Sequence, residues 1–287
     1  MVLIARNEER AIGYAIRSVR SWCDEVVVVD QESSDATAAI ASALGARVIS
    51  HPVTGYVEPA RAFAAAQARG DWVLMLDADE LVPPPLARAL TGLATRDDVD
   101  AVRISRRNHL LGVRVAHSGW NEARDRCLRF FRRGAVTFPS TIHRHPQPVP
   151  GARVHELASE GDAVLLHFHH RDLSELVESI DRYTTIEARE RVARRERGSA
   201  LAAVWFAARE WAVRYLWHAG WRDGWRGFYL AGVMAFDRWL VHAKVAALAH
   251  DGDRDAAEAR DRAEAERWLA GYPPSDVAPR MPGERPG

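Results

Sequence analysis

The sequence predicts an α/β fold, a mostly parallel sheet with helices on both faces, followed by a helical C-terminal extension. Three observations lead there. Short apolar runs alternate with helix-periodic segments through residue 80, an order that implies a parallel sheet with right-handed crossovers. Between Asp100 and about His170 the pattern changes to strands of a mixed or antiparallel region. From Ser174 the chain reads as helix nearly to Gly271.

The elements follow in order. Val2-Leu3-Ile4 is a short apolar strand, and "NEERAIGYAIRSVRSW" then places Ile12, Ala15, Ile16, Val19 and Trp22 at helical spacing. "EVVVVD" is a continuous β-branched run, as in a strand buried on both faces. "SSDATAAIASALG" opens on natural N-caps and closes on Gly45, a natural C-cap. "ARVIS" is a strand, "EPARAFAAAQARG" an alanine-rich helix closing on Gly70, and "WVLML" the strand that runs into Asp77-Ala78-Asp79-Glu80. Ligands of such sheets bind beyond the carboxyl ends of the strands. Asp30, Asp77 and the loop of Asn7 and Glu8 fall there. Later, "DAVRISRRNHLLG" and "RCLRFFRRGAVTF" read as strands, "TIHRHPQPVPGARVHEL" as a Pro-rich loop entering a strand, and "DAVLLHFHH" as a strand ending in histidines. "YPPSDVAPRMPGERPG" reads as a disordered tail.

Composition narrows the class. The 287 residues are 47% apolar and 27% charged, which is globular. Thirty-nine basic side chains balance thirty-nine acidic ones, so no net field steers the chain to nucleic acid. Cys23 and Cys127 are too few for a disulfide framework and suit a reducing compartment. "MVLIARNEER" is too short in apolar residues for a signal-peptide core, and no window is apolar and uncharged for a membrane span, so the expectation is a cytoplasmic location.

The chemistry concentrates at the strand ends. Asp77 and Asp79, one residue apart, suit a hard divalent cation such as Mg²⁺ or Mn²⁺ that completes its shell with phosphate and water. The alternative is a solvated acidic turn. Asp30 at its strand end suits a uracil imide or a ribose hydroxyl; a cap-and-turn cluster fits Ser33, Ser34 and Asp35 better than it fits Asp30. Asn7 and Glu8, with the local backbone, frame a nucleoside or simply cap the next helix.

Together "VLIARNEER", "VVVVDQESSDAT" and "GYVEPARAFAAAQARGDWVLMLDADE" resemble, in order and spacing, the family 2 inverting glycosyltransferases, which have the Rossmann-like GT-A fold. The resemblance spans residues 1–90. It implies that Ala5, Asn7, Glu8 and Asp30 hold the nucleoside and that Asp77 and Asp79 hold the metal-bound diphosphate. It also implies direct displacement from a nucleotide-sugar, UDP-linked first and GDP- or ADP-linked as alternatives. One departure stands out: where many relatives carry a basic residue followed by Asn, this chain has Arg61-Ala62. Arg61 still neutralises a phosphate, but the amide is missing.

The later half resembles a narrower group, bacterial enzymes that extend the lipopolysaccharide core. "RCLRFFRRGAVTF", "IDRYTTIEA" and "GWRDGWRGFYLAGVMAFDRWLVHAKVAAL" carry that likeness. It implies a hexosyl- or heptosyltransferase acting on a lipid-linked or cell-envelope glycan acceptor. That group usually has a Val-His-Glu motif after the "FRRG" block. Ile142-His143-Arg144 has the better spacing and Val154-His155-Glu156 the right residues. Inverting transfer needs a base for the acceptor hydroxyl. Glu156 is the candidate, with Glu80 as its rival beside the metal motif; a strand-edge surface carboxylate is the plainer account of Glu156. Among the clustered histidines, His167 at a strand end is the one placed to approach the catalytic metal, with core packing as its alternative. A structural zinc site lacks the thiols and spacing it needs.

Residues 200–240 hold Trp205, Trp211, Trp217, Trp221, Trp225 and Trp239 with arginines interleaved. Trp at a membrane interface and Arg on anionic headgroups make this a segment that lies on the inner face of the cytoplasmic membrane, or else one that packs on the catalytic domain or in a homo-oligomer. The expected organisation is a nucleotide-sugar-binding and catalytic domain over 1–172, a membrane-associating or oligomerising helical extension over 173–271 and the tail over 272–287. Two other functions stay open. A nucleotidyltransferase acting on sugar phosphates would use the same paired aspartates, though "ARNEER" lacks its glycine-rich loop. A non-catalytic, membrane-associated scaffold would keep the fold alone.

Overall fold

The computed structural model describes residues 1–139, 145–158 and 161–270. Ile142-His143-Arg144 and the tail expected to be disordered lie outside the described residues. The opening alternation is as expected: β1 (Val2–Ala5), α1 (Ile12–Val19), β2 (Val27–Asp30), α2 (Thr37–Ala43), β3 (Arg47–Ser50), α3 (Glu58–Ala66) and β4 (Trp72–Asp77). These strands form a parallel sheet in the order β3-β2-β1-β4. Register fixes the ligand edge: Ala5 of β1 stands beside Asp30 of β2, and Ile4 stands beside Asp77 of β4.

Both faces of this sheet are covered, which is why its strands read as unbroken apolar runs. On one face Leu3, Val28, Leu74 and Leu76 pack with Ile12 and Ile16 of α1. On the other, Ile4 and Val29 meet Ala60 and Ala64 of α3. The two alanines let α3 lie close to the strands, so Arg61, between them, reaches the carboxyl edge.

The rest of the sheet is mixed, as the change of pattern after Asp100 predicts. After β5 (Glu80–Leu81) and α4 (Pro84–Ala94) come β6 (Ala101–Leu110), β7 (Val113–Arg114), β8 (Arg126–Arg132), β9 (Val136–Thr137), β10 (Gln147–Pro148), β11 (Val154–Glu156) and β12 (Leu165–His169). The chain returns from β6 to β8 without a crossover helix, so β8 runs antiparallel to both β6 and β4. On the other side of β6, β11 and β12 lie end to end and parallel to it.

The extension comprises α5 (Leu173–Ala193), α6 (Ala200–Ala212), α7 (Gly224–His250) and α8 (Arg254–Leu269). Ala188 of α5 packs on Val241 and Val245 of α7. A left-handed residue, Ala219, and a short 3₁₀ turn, Gly220–Asp223, lead into α7. Asp223 latches this turn to the sheet domain. Its carboxylate accepts from the N–H of Ala116 (3.3 Å) and His117 (3.1 Å), from Ser118 Oγ (3.3 Å), and pairs with His117 Nδ1 (2.9 Å). Close backbone contact completes the latch: a methyl carbon at Gly227 would lie 1.8 Å from the Gly220 carbonyl oxygen. Of the six clustered tryptophans, Trp205, Trp217, Trp221, Trp225 and Trp239 are exposed, so packing on the catalytic domain does not account for them. Among the described residues, no helix is long and apolar enough to cross a membrane.

Two helix glycines separate packing from propensity. Gly227→Ala should destabilise the fold by ~2 kcal/mol or more through overpacking. Gly232→Ala, with nothing within 4 Å of the added methyl, should stabilise it by up to ~1 kcal/mol. Urea unfolding of both variants checks the opposite signs.

Candidate active site

β4 delivers Asp77 to the sheet edge, and three residues later the chain enters β5 at Glu80. β5 pairs with β12 so that Glu80 faces His167, while β12 pairs with β6 so that His167 faces Asn108. The Phe168 N–H donates to the Asp79 carbonyl at 2.9 Å. One strand ending in histidines therefore closes over the Asp77-Ala78-Asp79 turn.

Beneath that turn lies a buried ionic cluster. Glu80 is 1% exposed. Its Oε1 accepts from Arg129 (2.7 Å) and Arg106 (3.4 Å), and its Oε2 accepts from the Asp77 N–H (2.9 Å). Asp77 is ion-paired with Arg129 and lies 3.3 Å from Arg61 Nη2. Burial alone would raise the Asp77 pKa, but the guanidinium of Arg129, then that of Arg61, holds it well below the usual carboxylate range. Burial likewise opposes the charge on Arg129, yet Asp77 and Glu80 keep it firmly protonated.

Glu80, the expected base beside the metal motif, is buried in this cluster and engaged on both oxygens. Asp77, expected to contact the metal, turns its carboxylate to Arg129 and Arg61. Glu156, the other expected base, is not brought to the site. It stands half-exposed on β11, paired with Arg103 (3.1 Å) and Arg126 (3.3 Å). With β8 and β6 between, β11 lies three strand spacings, roughly 14 Å, from β4. A motif match without its register had suggested proximity.

Asp79 and His167 do meet, with Nε2 3.3 Å from Oδ2. Burial would raise the Asp79 pKa, and His167 outweighs it to bring a net lowering. Burial would lower the His167 pKa, and Asp79 reverses it to bring a net rise. Next to them His169 stacks on Trp120, with centroids 5.1 Å apart, and burial, then His167, pushes its pKa down to about 3. Among the described residues, no group of three or more His, Cys, Asp or Glu gathers as a metal cage. An oxygen and an imidazole at the ligand edge of the sheet fit a divalent cation that takes its remaining ligands from phosphate and water.

The far end of the edge is built by stitching two loops. Asn7 takes φ +56°. Its Oδ1 accepts from the Ser34 N–H (2.8 Å), and its own N–H donates to Ser33 Oγ (3.0 Å). The Glu8 N–H donates to Thr37 Oγ1 (2.7 Å), and the Ala5 carbonyl accepts from the Gln31 N–H (2.9 Å). Ala5 and Asn7 thus hold the loops together. Asp30 differs. It is 7% exposed, its Oδ2 accepts from the Ser33 N–H (3.1 Å), and its buried Oδ1 has no hydrogen-bond partner among the described residues. Glu8 is pushed up to about 7 by burial, then by the charge of Asp79, against the pull of Arg171.

Sequence reasoning missed Arg106, Asn108 and Arg129. The available signal was Arg129 inside an apolar strand, between Leu128 and Phe130-Phe131, where a lone charge needs buried partners.

Residues 1–148 match the family described as glycosyl transferase family 2. The chain is 29% identical over 249 residues to a lipopolysaccharide core biosynthesis glycosyltransferase of Rhizobium meliloti (strain 1021), covering 85% of this chain and 90% of that one. It is 28% identical over 256 residues to an uncharacterized glycosyltransferase of Rickettsia typhi, covering 85% of each. Among solved structures, glucosyl-3-phosphoglycerate synthase of Mycobacterium tuberculosis in complex with Mn²⁺ and UDP-glucose is similar with a TM-score of 0.41 and 21% identity, over 67% of this chain and 77% of that one.

The raised Glu8 has a testable sign. A carboxyl that titrates near 7 in the fold and near 4.5 when unfolded favours folding at low pH and opposes it progressively as pH rises from 4.5 to 7. Glu8→Gln should therefore raise the melting temperature more at pH 8 than at pH 5, as followed by thermal unfolding across that range. An equal gain at both pH values would contradict it.

Proposed function

Because the chain belongs to glycosyl transferase family 2, we propose that it moves a sugar from a nucleotide-sugar to a lipid-linked or cell-envelope glycan acceptor, with inversion at the anomeric carbon and Mg²⁺ or Mn²⁺ on the diphosphate. The observation that carries this reading is a single sheet edge holding both Asp30, with its unpartnered buried oxygen, and the Asp79–His167 pair. Asp30 Oδ1 accepts from an imide N–H or a ribose hydroxyl, which satisfies that buried oxygen. Asp79 and His167 hold the cation. A bound cation offsets the charge of the departing diphosphate. Asp77 does not bind the metal directly in this reading; through Arg129 and Arg61 it sets the position of the turn. Arg61, the outermost of these guanidiniums and paired at 3.3 Å, turns to a phosphate oxygen as the donor binds.

The exposed aromatic surface supports a membrane-bound acceptor. Leu201, Val204 and Trp205 share one face of α6, and Leu216 and Trp217 continue it, all exposed. Arg194, Arg195 and Arg197 precede this face at the end of α5 and are also exposed or nearly so. Apolar bulk beside exposed cations suits the interface of an anionic bilayer. The proposed location is the inner face of the cytoplasmic membrane.

Asp79→Asn should reduce metal-dependent turnover of a nucleotide-sugar at least ~100-fold, in line with loss of a metal ligand or its support, with the circular dichroism spectrum unchanged. Release of nucleoside diphosphate supports sugar transfer. Release of pyrophosphate would point to nucleotidyl transfer, and full activity with the metal chelated would overturn the mechanism.

For the surface, the intact chain should sediment with vesicles containing anionic phospholipid, more weakly at high salt. Trp205→Ser combined with Trp217→Ser should release it. If the same variant instead converts a dimer to a monomer in analytical ultracentrifugation, with vesicle binding absent throughout, the face is a contact between copies.

A further inference from the structure

Asn108 lies in β6 directly beside His167 and is 1% exposed. Its Nδ2 donates to the Trp120 carbonyl (3.0 Å) and to Asp125 Oδ2 (2.7 Å). Both amide hydrogens are thereby placed, so Oδ1 is the acceptor. It faces His167 Nδ1 at 2.7 Å. Nδ1 therefore carries a proton, and Nε2 is the nitrogen turned toward Asp79.

The partners of Asn108 are themselves held. Arg106 donates to Asp125 Oδ1 through Nε (3.0 Å) and Nη2 (2.9 Å), and also reaches Glu80. The Trp120 ring stacks on His169. The amide is thus the fixed end of a chain that runs from the ionic cluster under Asp77 to the imidazole above Asp79. A buried polar group that served packing alone could be replaced by an apolar one of similar shape at little cost. An acceptor on one imidazole nitrogen is what orients the other as a metal ligand.

We propose that Asn108 is the positioning residue that presents His167 Nε2, together with Asp79, to the divalent cation. This rests on the metal reading above, and the experiment separates the two. Mn²⁺ affinity is measured by calorimetry and by the electron paramagnetic resonance signal of free Mn²⁺, without donor, on the intact chain. Thermal unfolding in chelator reports folding. Asn108→Leu should weaken Mn²⁺ binding by ~10- to 100-fold, the range expected when a ligand loses its orienting partner. Asn108→Asp combined with Asp125→Asn exchanges amide and carboxylate. It restores an acceptor for Nδ1 and a donor between the two positions, and should return Mn²⁺ affinity close to that of the unaltered chain.

Asp79→Asn is the reference. If it binds Mn²⁺ as the unaltered chain does, the metal reading falls and this inference with it. If it loses Mn²⁺ while folded Asn108→Leu keeps it, the positioning role alone is overturned. If Asn108→Leu fails to fold, the exchanged pair decides: retained affinity supports the role, and lost affinity in a folded protein overturns it.

Discussion

The site depends on a buried exchange of charge, Asp77 and Glu80 against Arg129 and Arg106. Carboxylates at the end of a central strand are costly to desolvate, and an unpaired one would shift or unfold the edge. Arg129 meets both acids at once, and Glu80 spans from the guanidiniums to the backbone of Asp77. The turn between Asp77 and Glu80 is therefore tied at both ends. Asp79, which sits within it, turns its carboxylate to His167. Truncating one partner of such a pair costs more than the pair's net worth, because the other charge stays buried. The cluster consequently specifies geometry more than it adds stability.

This explains why the second half of the sheet is mixed. Four parallel strands suffice to bring Asp30 and Asp77 to one edge. They supply no cation for the strand end and no imidazole for Asp79. β8, inserted antiparallel between β4 and β6, brings Arg129 beneath the turn. β12, on the far side of β6 but paired also with β5, brings His167 back over it. Arg106 and Asn108, two residues apart on β6, share one strand face, and each contacts Asp125.

Much of this was legible in the sequence, and the boundary of legibility is physical. Asp30 and Asp77 could be placed because continuous apolar runs announce buried strands, and a parallel sheet has one ligand edge. His167 could be placed because a strand that ends in histidines must end somewhere polar. Arg106 and Asn108 could not, since "SRRN" reads equally as a solvated strand face. Glu156 could not be placed because its motif is local, whereas its distance from Asp77 is decided by strand order. Glu80 is adjacent to the site in sequence, but that its carboxylate points into the cluster depends on partners from β6 and β8. The link from Asp223 to residues 116–118 spans more than a hundred positions, and only its glycine spacing is visible locally.

The helical extension is coupled to the site rather than appended to it. Asp223 binds the backbone of Ala116 and His117, and Arg214 donates to the Ser118 carbonyl at 3.0 Å. The Trp120 N–H donates to the His117 carbonyl at 3.1 Å, and the Arg214 guanidinium lies 5.9 Å from the Trp120 ring centroid. Trp120 in turn accepts from Asn108, which faces His167. A continuous set of contacts thus runs from the turn between the exposed aromatic helices to the imidazole beside Asp79. Packed interiors transmit displacement because they have few voids to absorb it. The turn between the aromatic helices, the loop carrying Trp120 and the Asn108–His167 pair are therefore held in one packed frame.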